Sequence, residues 1–171
     1  MSILLIGYRG SGKTTIGKRL ADRLWQPFVD TDDMVVQKAG KNIKQIFEEQ
    51  GEEAFRSLEE QAVKEAVGLS ENVIALGGGA VLREANRQAI KNSGRPVIYL
   101  RCEAPELHKR IHADPATAES RPSLTRLAGS LDEIAKLLAE REPLYREVKT
   151  AELDVTHLTP EDACVYIVRL L

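Results

Sequence analysis

Short, continuous apolar runs alternate along this chain with longer stretches of helical periodicity. Five runs predict β-strands, at residues 2–6, 27–29, 73–76, 97–100 and 153–155. They are rich in Val, Ile and Leu and lack alternating polar residues, which is typical of strands covered on both faces in a parallel sheet. The order of elements therefore predicts an α/β domain with right-handed crossovers and with ligands at the carboxyl ends of its strands.

The stretches between these runs carry apolar residues at helical spacing. The two clearest sets are Ile16, Leu20 and Leu24, and Phe55, Leu58, Ala62 and Ala66. Gly51 and Gly94 follow helical stretches and are expected to end them, since glycine adopts the left-handed backbone found after many helices. Thr159, followed by Pro160, is expected to cap a last helix.

One segment, residues 112–130, lacks a clear period and contains two prolines and several small polar residues. Long irregular segments in compact domains are often functional loops. Its two arginines, Arg121 and Arg126, favour a lid that closes over a ligand. We place this lid at about residues 113–125.

Composition narrows the class of protein. The 171 residues (19.0 kDa) fit one compact domain, residues 1–171. A net charge of −2 and a pI of 6.0 argue against nucleic acid as a partner, and no apolar run reaches the ~18 residues of a membrane helix. Cys102 and Cys164 lie far apart, without the spacing of a metal or redox motif. We expect reduced, space-filling thiols in a cytoplasmic protein.

The segment GYRGSGKT, Gly7 to Thr14, matches G-x-x-x-x-G-K-[ST] between a predicted strand and a predicted helix. This context identifies a phosphate-binding loop, or P-loop, whose backbone N–H groups surround a β-phosphate. Lys13 is expected to reach the β- and γ-phosphates, and Thr14 to offer its hydroxyl to Mg²⁺. A plain glycine-rich turn is the weaker alternative.

The segment VDTDD, residues 29–33, follows the second predicted strand. In an extended chain Asp30 and Asp32 project to the same side, while Asp33 turns away into the next helix. We expect Asp30 to support Mg²⁺. The alternative is that Asp32 or Asp33 caps a helix that begins near Met34.

Three consecutive glycines, Gly77, Gly78 and Gly79, follow the strand-like run 73–76, where some phosphate-loop proteins carry a metal-supporting acid. A tight turn needs only one glycine. Three suggest that a ligand approaches the backbone too closely for any Cβ atom. Asp30 makes an acid after Leu76 unnecessary.

Together these segments resemble the shikimate kinase family. The matching motifs, in the family's order, are GYRGSGKTT (7–15), DTD (30–32), FRSLE (55–59), GGGA (77–80), RPSL (121–124) and REPLYREV (141–148). The resemblance implies a three-layer P-loop kinase fold: a five-stranded parallel sheet in the order 2-3-1-4-5, flanked by helices, with a mobile lid. It also implies a monomer that uses Mg²⁺ and ATP to phosphorylate the 3-hydroxyl of shikimate, without a nucleic-acid or membrane partner.

The resemblance also implies roles for particular residues. Those at the nucleotide are Gly10, Ser11, Gly12, Lys13, Thr14, Thr15, Arg110 (against adenine) and Arg121. Those at shikimate are Asp32, Arg56, Gly78, Gly79 and Arg141, within or near a helical region at about 32–62. Thr14 and Asp30 would hold the metal, and Lys13, Asp32 and Arg121 would be catalytic. Glu59 would orient Arg56.

Several alternatives remain open from the residues. Arg56 could be an ordinary surface arginine, and Arg141 could pair with Glu142. His108 and His112 stand four apart on a predicted helix but lack a third metal ligand at a fitting spacing. The chain could also be another small-molecule kinase, for gluconate or a nucleotide, or a regulatory relative without turnover. A substrate panel separates these possibilities.

Overall fold

A computed structural model describes residues 1–115 and 129–171. These residues form a five-stranded parallel sheet with helices around it. The strands are β1 (Ile3–Ile6), β2 (Phe28–Asp30), β3 (Val73–Ala75), β4 (Val97–Arg101) and β5 (Ala151–Asp154). Their order is β2-β3-β1-β4-β5, which confirms the predicted arrangement. The proposed lid with Arg121 and Arg126 lies, apart from its first three residues, outside the described residues.

Seven helices accompany the sheet in the described ranges. They are α1 (Lys13–Leu24), α2 (Thr31–Ala39), α3 (Ile43–Ala66), α4 (Glu84–Asn92), α5 (Ala104–Ala113), α6 (Leu131–Val148) and α7 (Pro160–Leu170), with a short 3₁₀ turn at Ala80–Leu82. No helix among the described residues is both long and apolar enough to cross a membrane.

The central strands are covered on both faces, as their continuous apolar runs predicted. Ile3 and Leu5 of β1 pack on one side of the sheet in a cluster that includes Leu20 of α1. Leu4 and Ile6 pack on the other side, in a cluster that includes Val63 of α3 and Tyr145 of α6. Alternate residues of one strand thus contribute to two separate cores, which holds the strand ends in fixed positions.

The edge strand β5 was the least accurately predicted. It spans Ala151–Asp154, whereas the apolar pattern suggested residues 153–155. The strand β5 pairs only with β4, and its residues are half-buried or exposed. It can therefore contain the polar Glu152, which broke the apolar pattern near the start of the strand. A strand with one free edge can carry polar side chains that a central strand cannot.

The helix ends follow the predicted chemistry. Gly51 interrupts α3 with φ 84°, so the helix comprises two segments on either side of it. Gly94 adopts φ 63° just after α4, and the Thr159 hydroxyl accepts the N–H of Asp162 at 3.1 Å. These three signals are local, and tertiary packing did not override them.

Candidate active site

Two adjoining cavities open at the carboxyl ends of the strands. The first, here called the P-loop cavity, is lined by the glycine loop and Lys13 together with Asp30 and Arg110. The second, the arginine cavity, is lined by Arg56 and Arg141 together with aromatic side chains from α3. Asp32 lines both cavities.

The P-loop joins β1 to α1 in a conformation that requires glycine. Gly10 and Gly12 have φ of 84° and 97°, values that side-chain-bearing residues rarely adopt. Gly12 directly precedes α1, so that the amino end of the helix faces the cavity. The Lys13 Nζ donates to the carbonyl oxygens of Gly7 and Tyr8 at 2.8 and 3.0 Å. The Lys13 ammonium group therefore lies against the loop that is expected to bind the phosphates.

Asp30 provides a carboxylate next to the end of β3, the strand after which some phosphate-loop proteins carry a metal-supporting acid. It is the last residue of β2, beside Ala75 of β3, and its Oδ2 accepts the Thr14 hydroxyl at 2.9 Å. Hydroxyl and carboxylate oxygens are hard ligands that suit Mg²⁺, which binds few protein groups and keeps several waters. The described residues contain no group of three or more His, Cys, Asp or Glu that could hold a metal without a substrate. Thr14 and Asp30 thus fit a magnesium ion shared with phosphates.

The predicted cap of α2 is wrong. The helix begins at Thr31 rather than near Met34, and its cap is Asp30, whose Oδ1 accepts the N–H of Asp32 at 3.0 Å. Asp30 has the extended backbone of the strand, which a capping residue also needs, so it serves both elements.

This early helix start also alters the argument for the three acids. Asp30 and Asp32 do line the P-loop cavity together, but Asp33 lines it as well. Asp33 does not point away from Asp30 and Asp32 as in an extended chain, because side chains turn by about 100° per residue once the helix has begun. Partial desolvation of its carboxylate, followed by the charge of Asp30, raises the pKa of Asp33.

Arg56 is buried and held in place. Its Nη1 lies 2.7 Å from Glu59 Oε2, one turn along α3, and both side chains are almost inaccessible to solvent. Its guanidinium also lies 5.2 Å from the centre of the Phe55 ring. Burial raises the pKa of Glu59, and the charge of Arg56 opposes that shift. The expected orientation of Arg56 by Glu59 is confirmed, and the surface-arginine alternative is wrong.

Arg141, on α6, is likewise buried, and its guanidinium lies 5.4 Å from the Tyr8 ring centre. It does not pair with Glu142, whose carboxylate instead lies 3.5 Å from Arg146. The charge of Arg141 opposes the rise that burial causes in the pKa of Tyr145, and the Tyr145 hydroxyl donates to the Gly78 carbonyl at 2.6 Å. Tyr145 therefore ties α6, the helix that carries Arg141, to the glycine triplet.

The three glycines make room for polar side chains of the protein itself. A Cβ on Gly77 would lie 2.7 Å from Asp32 Oδ1 and 2.9 Å from Glu59 Oε1, and one on Gly79 would overlap the Arg56 guanidinium. The sequence predicted a ligand close to these glycines, whereas the atoms nearest to Gly77 and Gly79 in the structure belong to protein side chains. The Gly77 N–H is also already used, by the Thr31 hydroxyl at 2.9 Å.

Arg110 lines the P-loop cavity from α5. Its Nε donates to Glu106 at 2.9 Å, and its Nη2 donates to the carbonyl oxygens of Val155 and Thr156 at 2.9 and 3.3 Å. These bonds hold the Arg110 guanidinium in a fixed orientation in the cavity wall. The rings of His108 and His112 lie with their centres 4.2 Å apart and are tilted by 37°, but they belong to no larger cluster of metal ligands within the described residues.

The two cysteines meet the expectation of space-filling thiols. Cys102 and Cys164 are both free and buried, and burial raises the pKa of each thiol. Neither lines either cavity.

Sequence reasoning missed two contributors to this site. Arg9 lines both cavities, and Tyr145 joins elements that lie 67 residues apart in the chain. Arg9 stands at one of the unspecified positions of the P-loop pattern, so the pattern itself gave no signal. Tyr145 lies within the REPLYREV segment, but only the folded chain shows what its hydroxyl contacts.

Comparison with known proteins places this site in a family. A family profile described as shikimate kinase matches residues 9–171. The shikimate kinase of Rhodopirellula baltica is 41% identical over 167 residues, covering 98% of this chain and 88% of that protein. Shikimate kinase 2 of Yersinia pestis (strain Pestoides F) is 43% identical, covering 99% and 95%.

Solved structures agree with the sequence relatives. The shikimate kinase from Acinetobacter baumannii, in complex with shikimate, superimposes with a TM-score of 0.90 at 32% identity, over 99% of this chain and 91% of the other. A gluconokinase from Sinorhizobium meliloti reaches only 0.59 at 19% identity, over 99% and 92%, and so shares the fold alone. The profile match and the relatives over nearly the whole length show that this chain belongs to the shikimate kinase family.

Proposed function

We propose that this protein transfers the γ-phosphate of ATP to the 3-hydroxyl of shikimate, giving ADP and shikimate 3-phosphate. The observation that carries the proposal is the junction of the P-loop cavity with a cavity containing two buried arginines, with Asp32 lining both. A phosphate donor and an anionic acceptor can thus occupy adjacent sites. The family and the shikimate complex of the Acinetobacter relative support the same substrate.

The arginine cavity fits a small hydroxylated carboxylate. Arg56 and Arg141 supply planar guanidinium groups, which bind carboxylates through paired N–H donors. Phe47 and Phe55 provide an apolar wall suited to ring carbons. We propose that Asp32 accepts a hydrogen bond from the attacking hydroxyl, and that Gly78 and Gly79 border the acceptor.

The P-loop cavity fits the triphosphate. We propose that Gly10, Ser11, Gly12, Thr15 and Arg110 bind the nucleotide, together with Lys13. Thr14 and Asp30 would hold Mg²⁺, which supplies positive charge that neutralises the phosphates when bound. Asp30 Oδ1 accepts the N–H of Asp32 and its Oδ2 accepts the Thr14 hydroxyl, so both oxygens are held in place before any substrate enters.

Phosphoryl transfer requires from the protein mainly that it position the reactants and supply positive charge. A bond forms between the shikimate 3-oxygen and the γ-phosphorus while the bond from that phosphorus to the β–γ bridging oxygen breaks, and the hydroxyl proton passes to Asp32. Phosphoryl transfer through a loose transition state gains most from in-line alignment and charge stabilisation. We propose that Lys13 and Asp32 supply these, with Arg121, outside the described residues, as a third catalytic group on a lid at about 113–125.

Arg141→Lys is expected to raise the KM for shikimate by about tenfold or more, with little change in the KM for ATP. Lysine keeps the charge but replaces the bidentate fork with a single point donor. Steady-state kinetics with each substrate varied in turn measure both constants. Arg146→Lys, an exposed arginine on the same helix, is the control. An increase in the KM for ATP alone would place Arg141 at the nucleotide.

Gly79→Ala is expected to weaken shikimate binding because the new methyl group overlaps the Arg56 guanidinium. The Arg56–Glu59 pair must then shift, so the KM for shikimate should rise by about tenfold while the fold persists. Kinetics and thermal melting test this directly. An unchanged KM would mean that Arg56 does not contact the acceptor.

A substrate panel tests the proposed function. ADP formation is measured with ATP and either shikimate, gluconate or a nucleoside monophosphate. We expect turnover that depends on shikimate and background rates with the other acceptors. Preference for gluconate or a nucleotide would identify another kinase of this fold, and turnover without an acceptor would indicate a nucleotide hydrolase.

We also propose that residues 1–171 form one domain that acts as a monomer in the cytoplasm. The described residues of one chain line both cavities, and the family resemblance implies a monomer. The buried, free thiols suit a reducing compartment. Light scattering coupled to gel filtration, with and without substrates, tests the monomer.

A further inference from the structure

The side chain of Arg9 lies at the junction of the two cavities, although the P-loop pattern does not specify an arginine at this position. Arg9 belongs to the P-loop, between Tyr8 and Gly10, and it is the one cationic side chain in the described ranges that lines both cavities. The loop here abuts the glycine triplet, since a Cβ on Gly78 would lie 3.1 Å from the Arg9 backbone nitrogen. Arg9 thus stands between the proposed donor and the proposed acceptor.

The surroundings of Arg9 leave its charge only partly compensated. Its Nε is buried without a hydrogen-bond partner, and no carboxylate oxygen in residues 1–115 or 129–171 lies within 4.0 Å of its guanidinium, in contrast to Arg56. Glu133 and Asp114 act on it at longer range. Burial lowers its pKa, and these two acids, together with Tyr8, oppose the shift. Arginine remains charged throughout the physiological range despite such a shift.

A buried donor nitrogen without a partner, as Arg9 Nε is, costs free energy unless a ligand completes its hydrogen bond. The acceptor carboxylate already has Arg56 and Arg141, and the outer phosphates have the loop N–H groups and Lys13. The group that must pass between the cavities is the transferring phosphoryl, whose equatorial oxygens carry the charge of the transition state. A planar donor at the junction suits those oxygens.

We propose that Arg9 is a further catalytic residue, whose guanidinium donates hydrogen bonds to the oxygens of the phosphoryl group during transfer. This role rests on the proposed kinase function. Arg9 remains protonated throughout and forms no covalent bond. Because its contact is strongest while the phosphoryl is between donor and acceptor, it should affect kcat more than either KM.

The test compares Arg9→Met with Arg19→Met, a control arginine on the exposed face of α1 that lies 3.8 Å from Glu161. Arg9→Met is expected to lower kcat by about 10²-fold, the scale of one lost transition-state donor, with both KM values within about threefold of wild type. Arg9→Lys, which keeps the charge without the fork, should recover part of this loss. A purely structural role would instead lower the melting temperature or raise both KM values.

Binding provides a readout independent of turnover. Calorimetry measures the affinity for ADP with aluminium fluoride, Mg²⁺ and shikimate, which mimics the transferring phosphoryl, and for ADP alone. Arg9→Met should lose most of the extra affinity for the mimic and keep that for ADP. Arg9→Gln replaces Arg9→Met if the latter does not fold. A variant whose kcat and mimic affinity match those of Arg19→Met would overturn the role of Arg9, whereas a wild-type protein without shikimate-dependent turnover would overturn the proposed function itself.

Discussion

Lys13→Ala is expected to remove nearly all phosphoryl transfer, lowering kcat by roughly 10²- to 10³-fold, while the chain remains folded. The Lys13 ammonium lies against the P-loop, 2.8 and 3.0 Å from two loop carbonyl oxygens, and is expected to move to the phosphates when ATP binds. Its loss removes a preorganised charge where negative charge develops in the transition state. The loop keeps its glycine conformations, since these depend on the backbone.

Turnover with saturating substrates, together with circular dichroism, measures this effect. Lys38→Ala is the control, because Lys38 is an exposed lysine of α2 that pairs with Glu65 at 2.6 Å. A folded Lys13→Ala variant with wild-type turnover would contradict the phosphate role of the loop. An unfolded variant would show that the two hydrogen bonds to loop carbonyls are needed for folding, contrary to our expectation.

Asp32→Asn is expected to lower kcat by roughly 10²-fold or more, the scale of a positioned acid–base group. Asparagine fills the same space beside Gly77 but cannot take the proton of the attacking hydroxyl. The KM for ATP should change little, because the phosphates are bound by the loop and Lys13. Asp32 is the one acid of the DTD segment (Asp30 to Asp32) that lines both cavities.

Asp33→Asn is the matched control for this experiment. Asp33 is adjacent in sequence and exposed, and it lines only the P-loop cavity. Asp33 does not cap α2, so the substitution should leave the melting temperature almost unchanged. We expect kcat to stay within about threefold of wild type. If Asp33→Asn proved more damaging than Asp32→Asn, the assignment of the acceptor base would be wrong by one residue.

The fold was largely predictable because its signals are local or strongly periodic. Continuous Val/Ile/Leu runs indicated doubly covered strands, and β1 indeed contributes alternate residues to two cores. Thr159 and the helix-ending glycines behave as their intrinsic preferences dictate. The edge strand β5 was misplaced because polar Glu152 is tolerated beside solvent. The order of the strands came from the family resemblance rather than from any local pattern.

The site was predictable where two residues lie one helical turn apart or belong to a known motif. Arg56 and Glu59 are such a pair, and the P-loop is such a motif. The cap formed by Asp30 was not predictable, since it depends on where β2 ends against β3. The contacts of Tyr145 and Arg9 were not predictable either, because they join segments far apart in the chain.

The most direct measurement of the central claim is the fate of the γ-phosphate when purified protein, ATP, Mg²⁺ and shikimate are mixed. Phosphorus and proton NMR identify the product and the carbon that bears the phosphate. We expect one shikimate 3-phosphate for each ADP formed, and almost no ADP without shikimate. Phosphate on another hydroxyl would contradict the placement of Asp32, and ADP released with free phosphate would contradict transfer between the two cavities.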